Sequence, residues 1–369
     1  MRIHKGNDII ARAWLAMQRS GVGRMGLSGR RKLKWIFVAV AIFFLCRSFF
    51  VITRRILYGE LLTEKEFFSR LSNEMKSFEV RDEYCYNYSG EKNCYKVTDV
   101  QIGTRNGRPD IGRMILMEHL DGAVLSSAIL KPPNEFFTSS LNTTTWDIDF
   151  TVFYTNSYIK YFFDLMFYTQ SVPASTSASF NALSLGMGGG TINTIISKNF
   201  PNSNMTVVEI SNLVYEMAKK WFGLEENDRH HVIIGDGLKF VQEASKRHDQ
   251  YDVIFLDACR ESKEEETQCP IAEFYQPDIL QYMHDILKPT GGIFVNLVII
   301  DERISKQEEE RRMAMVKHKF DQVFPYCNSH TVGSDLNVVL ACRKQPFVST
   351  PQKVIDFVES IVSHTDNFI

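Results

Sequence analysis

Residues 182–211 read ALSLGMGGGTINTIISKNFPNSNMTVVEIS, and the way this stretch alternates decides the fold. An apolar run at 182–185 gives way to the turn Gly186-Met187-Gly188-Gly189-Gly190. Apolar residues at helical spacing follow over 191–198, and then a second apolar run at 206–210. Apolar runs that lack polar alternation belong to strands covered on both faces of a parallel sheet. The pattern continues downstream, with strands expected at 231–234, 253–256 and 293–300. Helices are expected near 213–221, 238–245, 273–287 and 305–319, and a closing hairpin near 322–324 and 337–341. Strands and helices in strict alternation define a doubly wound α/β domain.

Ligands of such sheets bind beyond the carboxyl ends of the strands. Four of those ends carry chemistry. The glycines of the first turn let the backbone bend tightly and approach a ligand before a helix N-terminus. Glu209, nineteen residues beyond Gly190, ends the second strand, where a carboxylate can accept both hydrogen bonds of a ribose diol. Asp236-Gly237 follows the third strand and places a carboxylate within reach of an adenine amino group. Asp257 follows the fourth. Any one of these acids, taken alone, is more often a helix N-cap; their order and spacing carry the reading. A nicotinamide-dependent oxidoreductase shares the glycines and the acid, but the third fingerprint position here is Thr191 rather than glycine.

As an ordered set, LSLGMGGG (183–190), TVVEIS (206–211), WFGL (221–224), IIGDGLKFV (233–241), YDVIFLDA (251–258), CP (269–270) and LKPTGGIFVNLV (287–298) resemble a known family. It is the methyltransferase-like protein 13 group, within the spermidine-synthase-like S-adenosylmethionine enzymes. The likeness covers 181–344. It implies a Rossmann-like seven-stranded methyltransferase sheet. It also implies S-adenosylmethionine as cofactor, held by Gly186, Gly188 and Gly190 around the methionine part, by Glu209 on the ribose, and by Asp236 with Gly237 at the adenine. Upstream, MILMEHLDGAVLSS (114–127) resembles the small β-hairpin domain of aminopropyltransferases.

Several departures separate the chain from aminopropyltransferases. Leu125 stands where they place a cofactor-binding glutamine, and their Tyr-x-Glu polyamine contact appears as Tyr158-Ile159-Lys160. A lysine there repels an ammonium substrate. Their Asp-Ser-Ser-Asp segment appears as Asp257-Ala258-Cys259-Arg260, and Ser211 replaces the usual second acid after Glu209. These residues point to methyl transfer to an acceptor not yet known, with a protein amine as the class that the resemblance implies. Asp257 is the expected base or orienting carboxylate, with an N-cap of the following loop as its alternative. A noncatalytic cofactor-binding module and an aminopropyltransferase are the other readings.

Outside this region the sequence speaks of organisation. Net charge is −2, with 44% apolar and 23% charged residues among 369, which excludes dominant disorder and gives no case for nucleic-acid binding. Nine bases against Asp8 make 1–34 a basic tail. Residues 35–52, WIFVAVAIFFLCRSFFVI, would span about 27 Å as a helix. This stretch is expected to be a transmembrane signal-anchor in contact with a lipid bilayer. The basic flank then places the N-terminus in the cytosol and the C-terminal domain in a lumen or outside the cell.

Residues 53–149 read as a juxtamembrane stretch and a small β-rich unit, 150–345 as the cofactor-binding domain, and 346–369 as a helical tail; self-association as a homodimer is carried as an expectation. Six cysteines fall in near neighbours: Cys85 with Cys94, Cys259 with Cys269, Cys327 with Cys342. Of their fifteen possible connectivities, only Cys85 to Cys94 is expected. For Cys259, a bridge to Cys269, a small buried residue and a redox site stay open, and no metal site is read. Sequons at Asn87, Asn142 and Asn204 are about as many as chance supplies.

Overall fold

The computed structural model describes residues 27–88, 91–154, 157–262, 266–301, 303–333 and 337–365. Most of the expected basic tail lies outside them. The chain divides into two units: 1–62 with 135–139, and 63–134 with 140–369.

The first unit is built on a helix, α1 (Leu27–Tyr58). The segment expected to cross a membrane lies within it, and that expectation is corrected here: among the described residues, no helix is long and apolar enough to cross a membrane. Arg47, Arg54 and Arg55 interrupt its C-terminal half. Arg54 pairs with Glu135 and stacks over Phe137, whose ring also meets Tyr58. Without a span, the placement of the C-terminal domain in a lumen or outside the cell falls as well.

The second unit opens with α2 (Glu64–Glu74), which Thr63 and Glu66 start with a reciprocal capping box and which buries Phe67, Phe68 and Leu71. The β-rich expectation is met by a four-stranded antiparallel sheet: β1 (Glu79–Tyr88), β2 (Glu91–Arg105), β3 (Arg108–Met117) and β4 (Ala123–Ile129), paired in that order. Its inner face encloses an ion cluster. Asp99, 0% exposed, accepts two hydrogen bonds from the Arg113 fork at 2.8 and 2.9 Å, one from Arg81 at 3.0 Å and one from the Thr143 hydroxyl at 2.6 Å. Arg113 also donates to the carbonyls of Trp221 and Thr143 and lies over the Trp221 ring. Since Trp221 belongs to the larger sheet's layer, this cluster fastens one sheet to the other.

An aromatic stretch follows. A short strand, β5 (Val152–Tyr154), precedes a helix, α3 (Tyr158–Tyr168). Phe162, Phe163 and Phe167 of α3 are fully buried, and each such side chain contributes about 1.5–3 kcal/mol of apolar burial.

The α/β expectation is met by a seven-stranded mixed sheet. Its strands are β6 (Asn181–Leu185), β7 (Asn204–Glu209), β8 (His230–Ile234), β9 (Tyr251–Leu256), β10 (Leu287–Val298), β11 (Tyr326–Thr331) and β12 (Asn337–Arg343), in the order β11-β12-β10-β9-β6-β7-β8. The five strands from β10 to β8 are parallel, and β12 and β11 close the sheet antiparallel. The crossovers are α4 (Thr191–Asn199), α5 (Asn212–Trp221), α6 (Gly237–Arg247), α7 (Pro277–Ile286) and α8 (Lys306–Asp321).

Two expected elements differ. The single helix of 273–287 is a 3-10 turn, Ala272–Tyr275, followed by α7, because Pro277 fits a first helical turn but not an interior. The first strand of the closing hairpin is 326–331 rather than 322–324, since Phe324 is fully buried at the end of α8. The tail forms α9 (Gln352–Ile361), whose Phe357 meets Phe167, and β13 (Ser363–Thr365), parallel to β5.

Candidate functional site

Because β9, β6, β7 and β8 are neighbouring parallel strands, their carboxyl ends open on one edge, and the predicted residues meet there. Gly186, Gly188 and Gly190 adopt φ of +91°, +54° and +73°. At Gly186 the requirement is strict: a Cβ would stand 2.2 Å from the Asp257 carbonyl oxygen. The Gly186 N–H donates to the Val208 carbonyl and the Asp257 N–H to Leu185, so turn and strand ends are laced by backbone. Gly190 in the left-handed region is the N-cap of α4.

Glu209 is 6% exposed. One carboxylate oxygen accepts the Met187 N–H at 3.0 Å and the other the Ser211 N–H at 2.8 Å. Burial, helped by the Glu261 charge, lifts its pKa to about 7 against those two bonds. Each oxygen retains a lone pair after its backbone bond, which is the capacity a vicinal diol needs. Ser211, in place of a second acid, is the N-cap of α5 and accepts from the Val214 N–H. Asp236 caps α6, accepting the Leu238 N–H at 2.9 Å. Gly237 opens that helix, and a Cβ there would stand 3.0 Å from the Phe274 ring.

Asp257 is no helix cap. The Tyr158 hydroxyl donates to its Oδ2 at 2.8 Å and the Asn296 amide to its Oδ1 at 2.8 Å. Burial raises its pKa to about 6, although both donors oppose the rise. Lys160, two residues from Tyr158, is paired with Asp164 one helical turn on, so its charge is not left to repel a cation unaided. Leu125 runs beside the glycine turn, its carbonyl 3.5 Å from where a Gly188 Cβ would stand.

Other residues here escape pattern reading. Glu261 accepts from Tyr95 at 2.7 Å, from Tyr86 at 3.2 Å and is bonded to His119 Nε2 at 2.9 Å, which ties the loop after β9 to the antiparallel sheet. Disulfides flank both halves of this clasp: Cys85–Cys94 beside the two tyrosines and Cys259–Cys269 around the glutamate. A third joins Cys327 to Cys342. Asn296 did leave a signal, as the single polar residue within the apolar run IFVNLVII.

The spermine/spermidine synthase domain model matches residues 156–333. The eEF1A lysine and N-terminal methyltransferase homolog of Drosophila melanogaster is 28% identical over 173 residues, 47% of this chain and 24% of that protein. The eEF1A lysine and N-terminal methyltransferase of Bos taurus is 32% identical over 165 residues, 44% of this chain and 22% of that protein. The polyamine aminopropyltransferase of Vibrio vulnificus (strain CMCP6) is 32% identical over 76 residues, 21% of this chain and 25% of that protein. The chain spans about a quarter of the length of these relatives. Among solved structures, human methyltransferase-like protein 13 in complex with SAH matches with a TM-score of 0.47 and 24% identity, covering 55% of this chain and 90% of that one. The resemblance to the methyltransferase-like protein 13 group read from the sequence is borne out by these relatives.

Proposed function

We propose that the chain is an S-adenosylmethionine-dependent methyltransferase acting on a protein amine. The observation that carries this is the meeting of a desolvated, half-satisfied Glu209 with the glycine turn and with Asp257 behind Gly186. These residues fit an adenosyl sulfonium. Glu209 accepts the ribose hydroxyls, Gly186, Gly188 and Gly190 admit the methionine part against bare backbone, and Asp236 with Gly237 borders the adenine. When bound, S-adenosylmethionine supplies an electrophilic methyl group, so the protein's task is alignment and proton removal. Asp257, with a pKa of about 6, is ionised near neutrality and takes the proton of the attacking nitrogen. Tyr158 and Asn296 hold its carboxylate while it does so. The eEF1A relatives favour a protein amine over a small molecule.

Titration calorimetry on the full chain tests this directly. Saturable binding of both S-adenosylmethionine and its demethylated product is expected, and the absence of heat with either overturns the proposal. A second reading, aminopropyl transfer, is favoured by the Lys160–Asp164 pair and by the aminopropyltransferase relative. Decarboxylated cofactor with putrescine separates the two readings, and no spermidine is expected.

The affinity is also expected to depend on pH. The diol needs the ionised form of Glu209, whose pKa is about 7. Protonation therefore competes with binding below that value. Affinity should be about tenfold weaker at pH 6 than at pH 8, and Glu209→Gln should remove the dependence.

A further inference from the structure

Of the two amides that follow one another from Asp257 into the strands completing the sheet, Asn296 and Asn337, only the first enters the chemistry above. Asn296 of β10 is 2% exposed among apolar neighbours, and its amide donates to Asp257 Oδ1 at 2.8 Å. Its own Oδ1 accepts from Asn337 Nδ2 of β12, again at 2.8 Å. The chemistry of the groups fixes the direction of this chain. An ionised carboxylate only accepts, so Asn296 must turn its NH2 toward Asp257 and its carbonyl toward β12. Asn337 must then present its NH2. Without that donor, Asn296 has nothing to hold its carbonyl away from the carboxylate, and a flipped amide would set two acceptors face to face.

We propose that Asn337 is a positioning residue that acts through Asn296 to orient the Asp257 carboxylate and hold it in its ionised form. The proposal rests on the reading of Asp257 as the group that takes the proton. The other neighbours that act on this carboxylate are few. Tyr158 donates to it from α3, and the Cys259 sulfur lies 3.6 Å away but is locked in its disulfide. Tyr158 titrates far above neutrality, so it stays a donor throughout the relevant range. A hydrogen bond donated to a carboxylate favours the charged form, and burial opposes it. Weakening the amide chain therefore moves the Asp257 midpoint upward.

The test is a carbon-13 NMR titration of the full chain labelled at aspartate carboxyl carbons, with Asp257→Asn identifying the signal. Asn296→Ala is expected to raise the midpoint by about one pH unit. Asn337→Asp keeps the size of the side chain but replaces the donor by an acceptor. It should raise the midpoint by at least as much as Asn337→Leu, which only removes the donor. An Asn337→Leu midpoint at the wild-type value overturns the proposal, because a rise confined to Asn337→Asp is what its added negative charge alone would produce. Wild-type thermal melts of Asn337→Asp would accompany the expected shift. The acid limb of the kcat profile should follow the NMR midpoint. Methyl transfer unchanged in Asp257→Asn would instead sink the catalytic reading beneath the proposal, with the titration shifts still standing.

Discussion

Asp257→Asn should lower methyl incorporation by about two to four orders of magnitude while leaving the affinity for S-adenosylmethionine within about threefold. The amide has the shape of the carboxylate and can still accept from Tyr158, so the pocket persists. It has no charge and cannot take a proton from the acceptor nitrogen. Its NH2 also faces the Asn296 donor, which turns an attraction into a clash of like dipoles. Calorimetry and a radiolabelled methyl assay on the same preparation separate the two effects. Loss of binding in parallel with loss of transfer would make Asp257 part of the cofactor cradle, not its proton acceptor.

Arg113→Ala is expected to destabilise the chain by about 3–5 kcal/mol, read as a fall in the midpoint of chemical denaturation. The substitution removes two of the four hydrogen bonds to the fully buried Asp99 and strands two backbone carbonyls. Arg81 and Thr143 remain, but they cannot replace a planar fork that also covers the Trp221 ring. The double change Asp99→Leu with Arg113→Met should lose less than the single one, because the fully buried carboxylate leaves with its fork and only the partly exposed Arg81 loses its partner. If the single variant is as stable as the parent, the cluster does not fasten the two sheets.

How much of this was legible in the sequence depends on the range of each interaction. The parallel strands announced themselves because burial on both faces demands continuous apolar runs, as at 253–256 and 293–298. The glycines and Glu209 were legible because strand-end chemistry is local. Strand β11, YCNSHT, was misplaced because it is a largely exposed edge with no apolar periodicity. The Glu261 clasp was invisible, since its partners lie 142 to 175 residues away and no spacing records such a meeting. Residues 35–52 misled for a related reason: a composition fit for a bilayer says nothing of the Arg54 and Tyr58 contacts made by the residues just beyond it.

The order of strands in the larger sheet bears on how a growing chain acquires its site. Strand β10 is made before the hairpin that flanks it, and Phe294, Val295 and Ile293 are all fully covered in the finished molecule. Until β12 leaves the ribosome and docks, β10 offers a bare, greasy border to any passing polypeptide. The same docking delivers Asn337. Protection from aggregation and completion of the reactive corner are thus achieved in one late step of biosynthesis.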